Sequence, residues 1–143
     1  METQKIARIL GYGGALPFIG FGVLVVTDST AWYIEVDTVL LCYGAVILSF
    51  LGGLHWGRVA SIDRQTTSRD SVFLFWSITP PLVAWISILL PQATGAVVMT
   101  GCFGLAYFID VAFCQLGKWH NWMKQLRLHL TLVACVSLAT VFL

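Results

Sequence analysis

Runs of apolar residues, each close to the length of a membrane crossing, alternate along the chain with short polar stretches. Five runs qualify: Ile6–Val26, Val36–Gly57, Val72–Leu90, Ala93–Gly117 and Leu126–Leu143. A helix rises ~1.5 Å per residue, so about 20 residues cross the hydrocarbon core. The pattern predicts an all-α membrane protein: a bundle of five transmembrane helices in one integral-membrane domain over residues 1–143. Before the last run, "GKWHNWMKQLR" places Trp119, Trp122, Met123 and Leu126 at i, i+3, i+4 and i+7. That spacing predicts a short interfacial helix leading into the fifth span.

Composition removes the soluble alternative. The chain is 58% hydrophobic and 10% charged, against roughly 25% charged residues in soluble domains. Too few polar side chains remain to cover a water-exposed surface. A net charge of +1 offers no basic surface for nucleic acid. Cys42, Cys102, Cys114 and Cys135 stand singly in apolar runs, so they read as small buried hydrophobes rather than disulfides or zinc ligands. The opening "METQK" precedes a run too long for a signal h-region, and no Arg/Ser-rich transit peptide is present. A chain beginning near Met1 and lying in a bacterial inner membrane is the expectation.

The placement of charge predicts orientation. With the N-terminus inside, all eight Lys and Arg residues fall on the inner side: Lys5, Arg8, Arg58, Arg64, Arg69, Lys118, Lys124 and Arg127. The outer stretches hold Asp28, Glu35 and Asp37 instead. That is the positive-inside pattern, with the N-terminus inside and the C-terminus outside. Trp32 and Tyr33 on one side, and Trp56, Trp119 and Trp122 on the other, fit interfacial aromatic belts.

Helix packing inside lipid relies on small residues that allow close approach. In the second span Ala45, Ser49, Gly53 and Gly57 recur at steps of four, with Gly44 and Gly52 beside them. This stripe is the expected packing seam. His55 shares its azimuth with Gly44 and Leu48, at ~100° per residue, so it should face a neighbouring helix. The first span is also rich in glycine and holds Pro17, which makes it a natural partner. In the third span Pro80 and Pro81 remove two N–H donors, depriving the carbonyls of Trp76 and Ser77 of their helical partners. A kink is expected there, with Ser77 and Thr79 available to compensate.

Asp110 is the single charge well inside a span, where a carboxylate is costly and pairs or acts. Tyr107 shares its face at i−3. His55, Trp56, Arg58, Arg127 and His129 lie toward the same inner end of other spans. The cluster admits three readings: an ion pair of Asp110 with Arg127 or Arg58, a proton or ligand site that includes His55, and haem or metal ligation by His55 and His129. The last has no HxxxH or HxxE spacing behind it and is disfavoured. No nucleophile elbow, Walker loop, dinucleotide fingerprint or HExxH is present, so the reading leans away from an enzyme.

The segments "LGYGGALPFIGFG", "YGAVILSFLGGLHWG", "WSITPPLVAW" and "LRLHLTLVACVSL" resemble, in order, the transmembrane-protein-69-like family of bacteria and mitochondria. Met123 stands where that family usually has Tyr, and Thr79-Pro80-Pro81 where a single proline is usual. The resemblance implies a small multi-span membrane protein and no particular activity or site residue. In architecture alone, the chain also looks like tryptophan-rich sensory proteins that bind porphyrins and sterols, without their motifs. Architecture does not fix function. The leading expectation is non-enzymatic binding of a small amphipathic ligand, lipid or partner helix beside the second and fourth spans. Proton or ion translocation, with homo-oligomers forming the path, and a scaffold or assembly role are the alternatives.

Overall fold

The computed structural model describes residues 2–27, 35–61, 68–115 and 121–143. Among them six α-helices are present: α1 (Glu2–Gly13), α2 (Leu16–Val26), α3 (Val36–Ala60), α4 (Ser68–Leu89), α5 (Gln92–Gln115) and α6 (Asn121–Ala139). A 3-10 turn, Thr140–Phe142, closes the chain. α1 and α2 follow one another within one crossing, so the helices make five segments long and apolar enough to span a membrane. Trp32, Tyr33, Lys118, Trp119 and the stretch around Arg64 lie outside the described residues.

The first span is longer than its hydrophobic run and is interrupted. Gly13 and Gly14 favour helix weakly, and Pro17 offers no N–H to the turn before it. The chain therefore turns at Gly14–Ala15 and restarts with Pro17 in the first turn of α2. The Gly14 carbonyl at this break accepts the Tyr43 hydroxyl of α3 at 2.7 Å. Phe18 packs edge-on against the same ring, with centroids 4.9 Å apart. Tyr43→Phe should keep the ring contact and lose the hydrogen bond, at about 0.6–1.7 kcal/mol. Reversible unfolding in mixed micelles would measure it; a stability equal to wild type would show that the break needs no such tie.

α6 begins at Asn121 and runs unbroken through Leu126. The separate interfacial helix is thereby corrected from Asn121 onward: its apolar spacing simply continues the face of α6, with no breaker between the two.

α3 and α5 are central and carry the most buried residues. Leu40, Leu41, Leu48 and Leu51 of α3 meet Ala96, Met99, Phe103 and Ala106 of α5, with Ala84 of α4 and Leu138 of α6 closing the core. Phe75, Leu82, Trp85, Phe108 and Val136 face outward, as befits helices whose surroundings are lipid tails. Cys102 and Cys114 are buried as expected, whereas Cys42 is exposed and Cys135 half-buried.

The packing seam of α3 differs from the expected stripe. Ala45 and Gly52 are buried, but Ser49, Gly53 and Gly57 face outward, and a methyl group added at Gly53 or Gly57 would meet no atom within 4 Å. Steps of four drift by ~40° each, so Ala45 to Gly57 turns through about a third of the helix. The close approaches are instead at Gly44, against the Met99 sulfur, and at Gly52, against the Ser77 carbonyl oxygen and Pro81.

That second contact has a chemical cause. α4 continues through Pro80 and Pro81, and Pro81 cannot donate to Ser77. The released carbonyl points at Gly52, whose missing side chain leaves room for it. Ser77 and Thr79 donate elsewhere than expected, to Leu74 O at 2.6 Å and Phe75 O at 3.3 Å. The same device recurs at the α4–α5 junction. Pro91 cannot donate to the Ser87 carbonyl, which takes the Leu90 N–H at 3.4 Å instead, and Gly95 sits directly against it.

Candidate functional site

Three helices each bring one polar side chain to the end of the bundle where α3 and α5 finish and α6 starts. His55 lies five residues before the last residue of α3, Asp110 holds the matching place in α5, and Arg127 lies in the second turn of α6. All three are buried, at 1%, 2% and 6% exposure. Asp110 receives them on separate oxygens. His55 Nε2 donates to Oδ1 at 2.9 Å, and Arg127 Nε donates to Oδ2 at 2.5 Å.

Sequence spacing explains why these three converge. His55 shares its azimuth with Gly44 and Leu48, the residues of α3 that face α5. Its ring packs edge-on against Phe113, centroids 4.6 Å apart, and Phe113 leans on Phe73 of α4 at 3.8 Å. The aromatic wall excludes water and lipid from one side of the imidazole. In that low-dielectric setting the carboxylate and guanidinium attract strongly, and each would be costly alone.

The other expected members stand apart from this trio. Trp56 is half-exposed and faces outward, because adjacent helical residues point ~100° apart. Arg58 is exposed in the last turn of α3; the guanidinium on Asp110 belongs to Arg127. Tyr107 is half-buried and tilts against Phe108, centroids 5.9 Å apart. His129 is exposed and bonds through Nδ1 to the Tyr12 hydroxyl of α1, 2.9 Å away. Two residues beyond Arg127, it lies ~200° round α6. His55 and His129 thus serve different contacts, and among the described residues no group of three or more His, Cys, Asp or Glu could hold a metal ion.

Beside the trio a cavity of about 410 Å³ opens between α1–α2 and α3. Its walls are apolar, with Leu10, Phe18, Ile47, Phe50 and Phe103 prominent. Arg127 and Thr131 also line it. Arg127 Nη2 and Thr131 Oγ1 are both buried and have no hydrogen-bond partner among the described residues. A second hollow of about 450 Å³, between α2 and α6, is lined by Ile19, Val23, Val133 and Val136, with Thr27, Ser137 and Thr140 but, among the described residues, no charged group.

The sequence profile of a family described as "Protein of unknown function (DUF3429)" matches residues 3–143. The chain belongs to that family. Transmembrane protein 69 of Xenopus tropicalis is 35% identical over 139 residues, covering 96% of this chain and 53% of that protein. Transmembrane protein 69 of Mus musculus is 31% identical over 138 residues, covering 96% and 55%. The chain therefore spans about half the length of these relatives. No solved structure matches it.

Within this family member, sequence reasoning missed Thr131 and the cavity. Thr131 stands at i+4 from Arg127 and so on the same face of α6, which was the available signal. Tyr12 as the partner of His129 left no such signal, since 117 residues separate them. At the opposite end of the bundle Gln92 also escaped notice; its amide donates to Glu35 and, at 3.2 Å, to Thr38 Oγ1.

Proposed function

We propose that the protein binds a small amphipathic ligand or lipid drawn from the bilayer, in the cavity between the first and second spans. The observation that supports this most is that two residues on the wall of an otherwise apolar cavity, Arg127 and Thr131, carry buried donors, Nη2 and Oγ1, with no hydrogen-bond partner among the described residues. Buried polar groups are normally satisfied. A ligand's polar end would satisfy both while its apolar body lay along Phe18, Ile47 and Phe103. The volume is that of a small-molecule site. The expectation put the site beside spans two and four; this reading puts it behind α1, with Ile47 and Phe50 of span two and Phe103 of span four on its wall.

The same proposal places the chain in a bacterial inner membrane with its N-terminus in the cytoplasm. The Lys and Arg asymmetry supports that orientation, which sets the cavity in the cytoplasmic half. Ion passage has weaker support. Between the trio and the Glu35–Gln92 pair, α3 and α5 bury Leu48, Ala45, Phe103 and Met99, and the hydroxyls of Ser49 and Ser87 bond back to their own helices.

Photolabelling with a diazirine lipid analogue in nanodiscs tests the proposal. Labelled peptides should concentrate on α1, the middle of α3 and the start of α6. Leu10→Trp at the exposed mouth, or Ile47→Trp deeper in, should lower that labelling about tenfold. Labelling of the outward face at Trp85 and Phe108 should not change. Equal labelling of cavity and outward faces in the wild type would overturn the proposal.

A further inference from the structure

We infer that the cavity selects an uncharged ligand whose polar end is a hydrogen-bond acceptor: a carbonyl oxygen on a lipophilic body. This rests on the cavity being a ligand site, and it names the chemistry that site would accept. Arginine can only donate, and a threonine hydroxyl can donate as well. Tyr43 also lines the cavity, but its hydroxyl is committed to Gly14. Arg127 and Thr131, one helical turn apart, both line the space, and a carbonyl oxygen that reached their donors has two lone pairs to receive them.

Charge decides against an anion. Arg127 is the only charged residue on the cavity wall among the described residues, and its guanidinium already holds the Asp110 carboxylate through Nε. A carboxylate or phosphate at Nη2 would share one guanidinium with Asp110 in a low-dielectric setting. Two like charges so close are strongly disfavoured. A hydrocarbon without an acceptor would leave both donors unsatisfied. A neutral carbonyl avoids both penalties. Two kinds of membrane molecule offer one: the ester of an uncharged glycerolipid, and the ring carbonyl of a quinone.

The full chain in nanodiscs of ether-linked phosphocholine, which contain no carbonyl, allows the test. Four photoreactive probes of similar chain length would be compared: a diacylglycerol, an alkyl quinone, an alkyl sulfonate and a plain alkane. At least one carbonyl probe should label the cavity about tenfold better than the alkane. Thr131→Val, which is nearly isosteric, should reduce that advantage severalfold while leaving alkane labelling unchanged. Whichever carbonyl probe prevails identifies the source. Preference for the sulfonate, or equal labelling by carbonyl probe and alkane, would overturn the inference while leaving a binding cavity. No cavity labelling by any probe would overturn the cavity as a ligand site altogether.

Discussion

Asp110→Ala should destabilise the bundle by about 3–5 kcal/mol, because it leaves Arg127 buried with no counter-charge. Arg127 is 6% exposed, and its Nε is bound to Asp110. His55, 1% exposed, loses the acceptor of its Nε2 at the same time. Asp110→Asn separates the two losses. The amide oxygen can still accept from His55, but it brings no negative charge to Arg127. It should therefore remain clearly destabilised, though less than the alanine variant. Adding Arg127→Met to Asp110→Asn removes the stranded cation and keeps a side chain of similar reach. Buried ion pairs replaced as a pair are often neutral in stability, so the double variant should regain most of the loss. Reversible unfolding in mixed micelles would report all three. A double variant no more stable than Asp110→Asn alone would show that the ion pair is not what the trio contributes. The same double variant should also weaken retention of any ligand that uses Arg127, which separates stability from binding.

The spans were legible because hydropathy and helix length are local quantities. So was the pairing partner of Asp110 in outline: a lone carboxylate at span depth demands a cation, and Arg127 was one of two at the right level. His55 was legible by azimuth alone, through Gly44 and Leu48. What stayed hidden depends on rotation about each helix axis. Arg127 and His129 are two residues apart and look equivalent in a sequence, yet one faces the core and the other Tyr12. Trp56 beside His55 raises the same ambiguity. The small-residue stripe failed for a related reason. Steps of four suggest a straight seam, but the helical drift carries Gly57 well away from Ala45. The cavity was hidden more deeply, since it is space between α1–α2 and α3. Its existence depends on the break at Gly14–Ala15, where local sequence suggested a bend but not what the bend would leave open.

Gly52→Ala should cost about 1–3 kcal/mol, the range for overpacking a close contact. The added carbon would collide with the Ser77 carbonyl oxygen and lie 3.0 Å from Pro81 Cδ. Neither is the end of a flexible side chain, so α3 and α4 themselves would have to move apart. Gly53→Ala provides the control one residue away, since nothing lies within 4 Å of the added methyl. Alanine is the better helix former by about 0.5–1 kcal/mol, so that variant should be neutral or slightly stabilised. The cause can be tested as well as the effect. If Pro81 is what frees the Ser77 carbonyl, Pro81→Ala restores an N–H to it and draws it back along the helix axis. Combined with Gly52→Ala, it should recover part of the loss, a coupling between neighbours that independent sites would not show. Strict additivity in the double variant would mean that the carbonyl is held against Gly52 by helix packing alone. Equal costs at Gly52 and Gly53 would restore the straight stripe as the seam, with the outward face of α3 then packed against something other than lipid.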